Sequence, residues 1–158
     1  MNEIPKELQH PFFNDIQKSD REFVPFYYEQ QYYRGFASFE PWQDLERVSE
    51  TINREWQELS DSIKYAHQQR NKKEAGQLMV VGVAILVQYV YWLNEKPVSF
   101  CDQQIGIRLP IVPFNFSDRL QFIMQQPSLH LAFSQLTELM IEVNKLYAKK
   151  KIKKKHSK

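Results

Sequence analysis

The stretch LMVVGVAILVQYVYWL, residues 78–93, is apolar on every side and contains a single amide, Gln88. Such a segment is either a membrane-spanning helix or the centre of a helical core. Its 16 residues would span about 24 Å as a helix, whereas the hydrocarbon of a bilayer is roughly 30 Å thick. Aromatic residues that could mark a membrane interface, Tyr89, Tyr91 and Trp92, stand at one end only. We therefore predict a buried central helix over about residues 73–94 and no membrane span, and we expect a hydrogen-bond partner for Gln88.

The segments on both sides of this stretch supply the surfaces that would cover it. Apolar residues recur at spacings of three and four over residues 42–66 and 128–147, with Pro41 before the first segment and Ser128 as the predicted cap of the second. Amphipathic helices of this kind must bury their apolar stripes against another element. The sequence thus predicts an all-α fold, a single helical bundle with a buried apolar central helix. The predicted structural core includes Trp42, Trp56, Leu86, Gln88, Trp92, Phe133 and Leu136.

The remaining segments predict shorter elements. Residues 1–41 are rich in Phe and Tyr and are interrupted by prolines, so we expect them to pack on the bundle with one helix near residues 25–33 that stops at Gly35. Ser117 has the character of a helix cap before a short helix that ends near Pro127. Alternating apolar residues allow a short extended hairpin at 97–111, while Pro110 favours an extended loop there.

Composition and charge set the class of protein. A chain of 158 residues fits one domain, here residues 1–148, and its single cysteine excludes an internal disulfide and fits a cytoplasmic protein. The acidic N-terminal residues are unlike a signal peptide. Residues 149–158 hold seven of the 21 basic side chains and no acid, which leaves 14 basic and 19 acidic residues elsewhere. Because like charges repel, we predict a disordered basic tail of the kind that contacts nucleic acid or anionic surfaces.

Residues with chemical potential are scattered. The glycines, the histidines and Cys101 lack the spacings of phosphate loops and zinc sites, so the sequence predicts no metal, no cofactor and no catalytic residue. An enzyme would require the fold to assemble a site around Arg119 and His130 or His67. Basic residues could instead form one patch for phosphates, beside which an exposed Tyr or Phe could stack bases. These candidate contacts are Arg70, Lys72 and Lys73 at a helix connection and Lys149, Lys150, Lys151, Lys153, Lys154 and Lys155 in the tail.

Four quoted segments resemble one family of bacterial proteins. They are HPFF at 10–13, FEPW at 39–42, YWLNEKPVSF at 91–100 and VPFNFSDRLQFIMQQPSLHLAFSQLTELMIEVNKLYA at 112–148. The most specific is the last, in which Asp118, Arg119 and Leu120, then Pro127, then Gln135 and Leu136 follow in order. Together they resemble the YpoC-like family over nearly the whole chain except the tail. The resemblance implies a small cytoplasmic helical protein of low-GC Gram-positive bacteria and carries over no catalytic residue.

Three functions follow from these features and remain open at the level of sequence. The leading one is a non-enzymatic helical interaction or accessory protein with an unknown protein partner. The second is a nucleic-acid-associated protein that uses the lysine-rich tail, and the third is an enzyme with a site around Arg119 and His130. A helical bundle hosts many unrelated activities, so neither the function nor the oligomeric state follows from the fold class.

Overall fold

The computed structural model describes residues 3–18, 24–102 and 104–156. Within these ranges the regular structure consists of helices and no strand is present, so the predicted all-α fold is confirmed. The helices are α1 (Asn14–Gln17), α2 (Tyr27–Tyr33), α3 (Leu45–Gln68), α4 (Lys72–Leu93), α5 (Phe116–Gln125) and α6 (His130–His156), with short 3-10 helices at Lys6–Leu8 and Pro41–Gln43.

Helix α4 is the buried centre of the bundle, as predicted. It begins after Asn71, whose side chain accepts a hydrogen bond from the Glu74 backbone N–H and so satisfies one free donor of the first turn. Every residue from 81 to 93 is buried. Among the described residues, α4 is the one helix that is long and apolar enough to cross a membrane, and 78% of its most apolar 18-residue window is buried within the protein. The surrounding parts of the protein therefore bury the apolar surface of α4 that lipid would contact in a membrane-spanning helix.

The three long helices pack with defined directions. Helices α3 and α4 form an antiparallel hairpin, because a short turn at residues 69–71 joins them. Helix α6 runs parallel to α4, since Ser128 lies against Gly76 near the start of both helices and Lys150 contacts the Leu93 carbonyl at the end of α4. At Gly82 the helices approach closely.

A Cβ atom at Gly82 would lie 2.9 Å from Leu136 on α6 and 3.2 Å from Trp56 on α3. The absence of a side chain at this position thus lets both neighbouring helices pack directly on α4. The side chains assigned to the core from the sequence are all buried: Trp42, Trp56, Leu86, Gln88, Trp92, Phe133 and Leu136.

The N-terminal segment packs on the C-terminal half of α4 through polar contacts as well as aromatic ones. The Phe26 backbone N–H donates to Gln88 Oε1 at 2.6 Å, which supplies the partner expected for that amide. Trp92 Nε1 donates to Glu29 Oε2 at 2.6 Å, and the Tyr33 hydroxyl donates to the Val98 carbonyl at 2.9 Å. These contacts attach α2 to the end of α4.

Several helix boundaries differ from the sequence-based predictions. The 3-10 helix at Pro41–Gln43 is separate from α3, which begins at Leu45. Helix α5 begins after Asn115, which adopts a left-handed φ of 53° that Asn tolerates well, so Ser117 lies inside the first turn and does not cap it. Helix α6 begins at His130, so the residue directly before it is Leu129 and not Ser128, the predicted cap.

The loop between α4 and α5 decides between the two alternatives for residues 97–111. The described part of this segment, which excludes residue 103, contains turns and no hairpin. Its Phe100 backbone N–H donates to the Glu7 carbonyl at 2.7 Å, so the loop lies across the N-terminal segment. Proline at 97 and 110 removes backbone donors that a strand ladder would need.

The tail is helical where a disordered segment was predicted. Helix α6 continues through His156, the last described residue. Extending a helix that packing has already nucleated adds one hydrogen bond for each residue fixed, so like-charge repulsion competes with a favourable term. Lysines near the C-terminus of a helix also interact favourably with the helix dipole. Residues 157 and 158 lie outside the described residues.

Candidate nucleic-acid interface

The predicted basic residues lie at two opposite ends of the bundle. Arg70, Lys72 and Lys73 stand where α3 connects to α4, whereas the tail lysines stand beyond the far end of α4. The 22 residues of α4 separate these ends by about 33 Å at 1.5 Å per residue. The two groups of residues therefore do not form the single basic patch that the sequence allowed. The reason is that α6 runs parallel to α4, so its C-terminus moves away from the α3–α4 connection.

One lysine attaches the last turns of α6 to the end of α4, and a second lysine contacts an aromatic ring one turn earlier on the same helix. Lys150 Nζ donates to the Leu93 carbonyl at 2.5 Å and lies 3.3 Å from Glu95 Oε2, so it satisfies a free carbonyl at the end of α4. Lys151 Nζ lies 4.5 Å above the ring of Tyr147. After these contacts, all side chains from residue 151 to residue 156 are exposed.

The C-terminal half of α6 is strongly cationic. Residues 143–156 contain seven lysines and no acidic residue. The acidic residue just before them, Glu142, is paired with Arg119 on α5 through Nη1–Oε1 and Nη2–Oε2 contacts of 2.9 and 2.5 Å. This hydrogen bonding lowers the pKa of the Glu142 carboxyl, which stays ionised and compensated by the guanidinium. The cationic field of the lysines is therefore not cancelled by a neighbouring unpaired acid on this helix.

A groove of about 480 Å³ lies between residues 112–114 and α6. Val112, Leu146 and Ile152 contribute apolar surface, and the charged residues that line it are Lys145, Lys149 and Glu142, the last of which is paired with Arg119. Phe114 lines the same groove, and its side chain is 81% exposed. An aromatic ring this exposed, beside lysines, is a feature of proteins that contact bases and phosphates together.

The residues proposed for an enzyme site are only partly brought together. The rings of His67 and His130 lie 5.2 Å apart in an edge-to-face arrangement, and both contact Phe133. Desolvation and then the neighbouring His130 lower the pKa of His67. Arg119 donates to Glu142 and, through Nε, to Gln135 at 3.4 Å, and these two residues lie about 18 and about 7.5 Å further along α6 than His130 at 1.5 Å per residue. The structure thus pairs the histidines and places Arg119 elsewhere.

Metal-ligating side chains do not cluster in the described part of the chain. No group of three or more His, Cys, Asp or Glu residues there is placed to hold a metal ion. Cys101 is a free and exposed thiol.

Two residues of interest were not identified from the sequence. Glu29 is fully buried, and its Oε2 accepts hydrogen bonds from the Trp92 side chain and the Val98 backbone N–H, while its Oε1 has no hydrogen-bond partner among the described residues. Burial raises the pKa of the carboxyl to about 7. The sequence signal is an acid surrounded by tyrosines in YYEQQYY. Phe114 stands between Pro113 and Asn115, and turn-forming residues on both sides of an aromatic residue are the signal for an exposed loop position.

The fold and this interface define a class, a small helical bundle whose last helix presents lysines beside an exposed aromatic ring. The profile of the YpoC-like protein family matches residues 46–155, and the chain belongs to that family, as its sequence predicted. The uncharacterized protein YpoC of Bacillus subtilis (strain 168) is 27% identical over 111 residues, which cover 69% of this chain and 68% of that protein. No solved structure matches the chain.

The family match covers the bundle and the basic end of α6. It extends from the first turn of α3 to Lys155 and therefore includes Phe114 and the lysines, while it leaves out the N-terminal segment with Glu29. Because the family is uncharacterised, a function must be argued from the geometry of the site.

Proposed function

We propose that this protein is a cytoplasmic accessory protein that binds nucleic acid through the C-terminal end of α6. The observation that carries the proposal is that α6 continues past the end of α4 as an exposed helix, in a stretch with seven lysines and no acid. Lysine ammonium groups neutralise phosphates and release bound counterions without reading base sequence. The proposed binding is therefore independent of sequence and sensitive to salt.

The charge of the rest of the chain supports binding at this end. Residues 1–148 carry 14 basic and 19 acidic side chains, so the body is weakly negative and repels a polyanion. A helix with concentrated positive charge on a negative body directs phosphates toward one end of the molecule. The broader hypothesis of a helical interaction protein with a protein partner lacks a surface feature that specifies the partner, whereas exposed lysines specify a polyanion.

Two matched variants test the proposal. In the first, Lys145→Gln, Lys149→Gln and Lys153→Gln together remove three charges from one face of α6 and leave Lys150 on Leu93. In the second, Arg70→Gln, Lys72→Gln and Lys73→Gln remove three charges from the opposite end. Both have the same net charge, so a difference between them reports position.

Binding to a fluorescent oligonucleotide at low salt is measured by anisotropy for both variants and the unmodified protein. We expect the α6 variant to bind roughly 100-fold more weakly, because about three phosphate contacts are lost. The variant at the α3–α4 connection should bind within about twofold of the unmodified protein, because it lacks only charges distant from the interface. Equal losses in the two variants, or no binding by the unmodified protein, would overturn the proposal.

A further inference from the structure

Phe114 is exposed to an unusual degree for a large apolar residue of this protein. Its side chain is 81% exposed, although the chain buries Phe13, Phe26 and Phe116 almost completely. Single exposed apolar residues are common, but this ring lines a groove that also contains lysines. The exposed ring and the lysines thus belong to the same groove.

The backbone that carries this ring is fixed. The Phe114 carbonyl accepts a hydrogen bond from Arg119 Nη1 at 3.0 Å, and Arg119 is itself held by Glu142. Pro113 before it has a restricted φ, and Asn115 after it leads directly into α5. The ring is thus presented to solvent from an ordered position, which reduces the entropy lost when a flat ligand binds to it.

The lysines beside the ring are aligned along α6. Lys145, Lys149 and Lys153 are spaced by four residues, so they lie on one face of the helix with a rise of about 6 Å from one to the next. The first two line the groove together with Phe114. A row of cations beside an aromatic ring matches a polymer that alternates phosphates with flat bases.

We infer that the groove at Phe114 binds a single-stranded nucleic acid, in which a base stacks on the Phe114 ring while Lys145 and Lys149 contact the flanking phosphates. The inference rests on the proposed function and names its substrate class. A duplex keeps its bases stacked inside the helix and offers mainly phosphates to this surface, so it can use the lysines but not the ring. The protein should therefore bind a single strand more tightly than a duplex of equal length.

The test compares affinities for a labelled oligothymidylate and for a duplex of the same length. Phe114→Ala removes the ring, Phe114→Trp keeps a stacking surface, and Tyr65→Ala removes another exposed aromatic ring, 63% exposed, from α3 near the opposite end of the bundle. Thermal unfolding of each variant verifies that the fold is retained.

We expect Phe114→Ala to weaken single-strand binding about 5- to 150-fold, which is the range for loss of one stacked base, and to leave duplex binding unchanged. Phe114→Trp should bind the single strand at least as tightly as the unmodified protein. Tyr65→Ala should bind both nucleic acids with the affinity of the unmodified protein. Equal weakening of both nucleic acids by Phe114→Ala, or no weakening of either, would overturn the inference.

A competitor separates a nucleic acid from an acidic protein segment. A synthetic peptide rich in Glu, containing Phe and equal in charge to the oligothymidylate, is added to the complex. We expect little displacement at equal concentrations, and strong displacement would assign the groove to a protein partner and overturn the inference. Failure of the proposed function looks different, because the lysine variant of α6 would then bind as tightly as the unmodified protein.

Discussion

Helices α4 and α6 are parallel neighbours whose ends meet different surroundings. At the end of α4, residues 88–93 are buried beneath the N-terminal segment, which contacts them through Phe26 and Glu29. The corresponding end of α6 extends into solvent with every side chain exposed from residue 151 to residue 156. The apolar helix α4 thus holds the bundle together, whereas the cationic end of α6 is exposed and accessible to a partner.

This contrast assigns different consequences to substitutions in the two helices. A change in α4 or in the segment that covers it should alter the free energy of unfolding. A change in the outer part of α6 should alter binding and leave stability almost unchanged.

Leu86→Ala should produce the largest loss of stability. Leu86 lies in the middle of α4 and is fully buried, so truncation removes packing from all sides and leaves a cavity. We expect the free energy of unfolding to fall by about 2–5 kcal/mol in urea denaturation. The matched control is Leu131→Ala on α6, where the side chain is 58% exposed and the change should be within about 0.5 kcal/mol. Similar losses at the two leucines would contradict the contrast.

Glu29→Gln should reduce the dependence of stability on pH. The pKa of Glu29 rises from 4.5 to about 7 because the carboxyl is buried, so the folded protein holds a proton that the unfolded chain releases between these values. The contribution of Glu29 to stability is then fully present below about pH 4.5 and is lost as the pH rises through 7, a fall of about 3 kcal/mol.

The amide of the Glu29→Gln variant does not ionise, so its stability curve between pH 5 and pH 8 should lack this fall. The measurement is urea unfolding of both proteins at a series of pH values. Other groups titrate equally in both proteins, so the difference between the curves isolates Glu29. Parallel curves would show that Glu29 has an ordinary pKa in the folded protein.

Gln88→Met should leave a buried backbone donor without a partner. The Phe26 N–H donates to Gln88 Oε1, and methionine has a similar size without a comparable acceptor. We expect a loss of about 1–3 kcal/mol, together with faster hydrogen exchange at the Phe26 amide. Gln57→Met on the exposed surface of α3 is the control and should change neither quantity. Unchanged exchange at Phe26 would argue against the Gln88 contact.

Removal of residues 152–158 should have the smallest effect on stability. The truncation keeps Lys150 on Leu93 and Lys151 over Tyr147, and the described residues that it removes, 152–156, are exposed residues at the end of α6. We expect the free energy of unfolding to change by less than about 0.5 kcal/mol, while oligonucleotide binding becomes much weaker. A loss of stability comparable to that of Gln88→Met would mean that these residues serve the fold.

The sequence predicted the long helices and their buried faces, because both depend on local patterns of apolar residues. The uniform apolarity of residues 78–93 predicted the buried helix α4, and the spacing of apolar residues by three and four predicted α3 and α6. The direction of α6 relative to α4 could not be predicted, because it depends on the path of the long loop before α5. For that reason the sequence could not show that Lys72 and Lys150 lie at opposite ends.

The details of the candidate interface depended on tertiary contacts. The helical state of the tail results from packed turns earlier in α6 and from the contact of Lys150 with Leu93, which a charge pattern does not contain. The exposure of Phe114 depends on the path of the loop before α5, where the Phe114 carbonyl contacts Arg119. An aromatic residue near the lysines was anticipated as a base-stacking group, but its identity required the structure.

The salt dependence of oligothymidylate binding tests most directly whether the lysines of α6 contact phosphates. For a single strand, each phosphate contact contributes about 0.7 to the slope of log affinity against log salt concentration. The variant with Lys145→Gln, Lys149→Gln and Lys153→Gln should therefore show a slope smaller by about 2 than that of the unmodified protein. Parallel lines for the two proteins would contradict phosphate contact by these lysines.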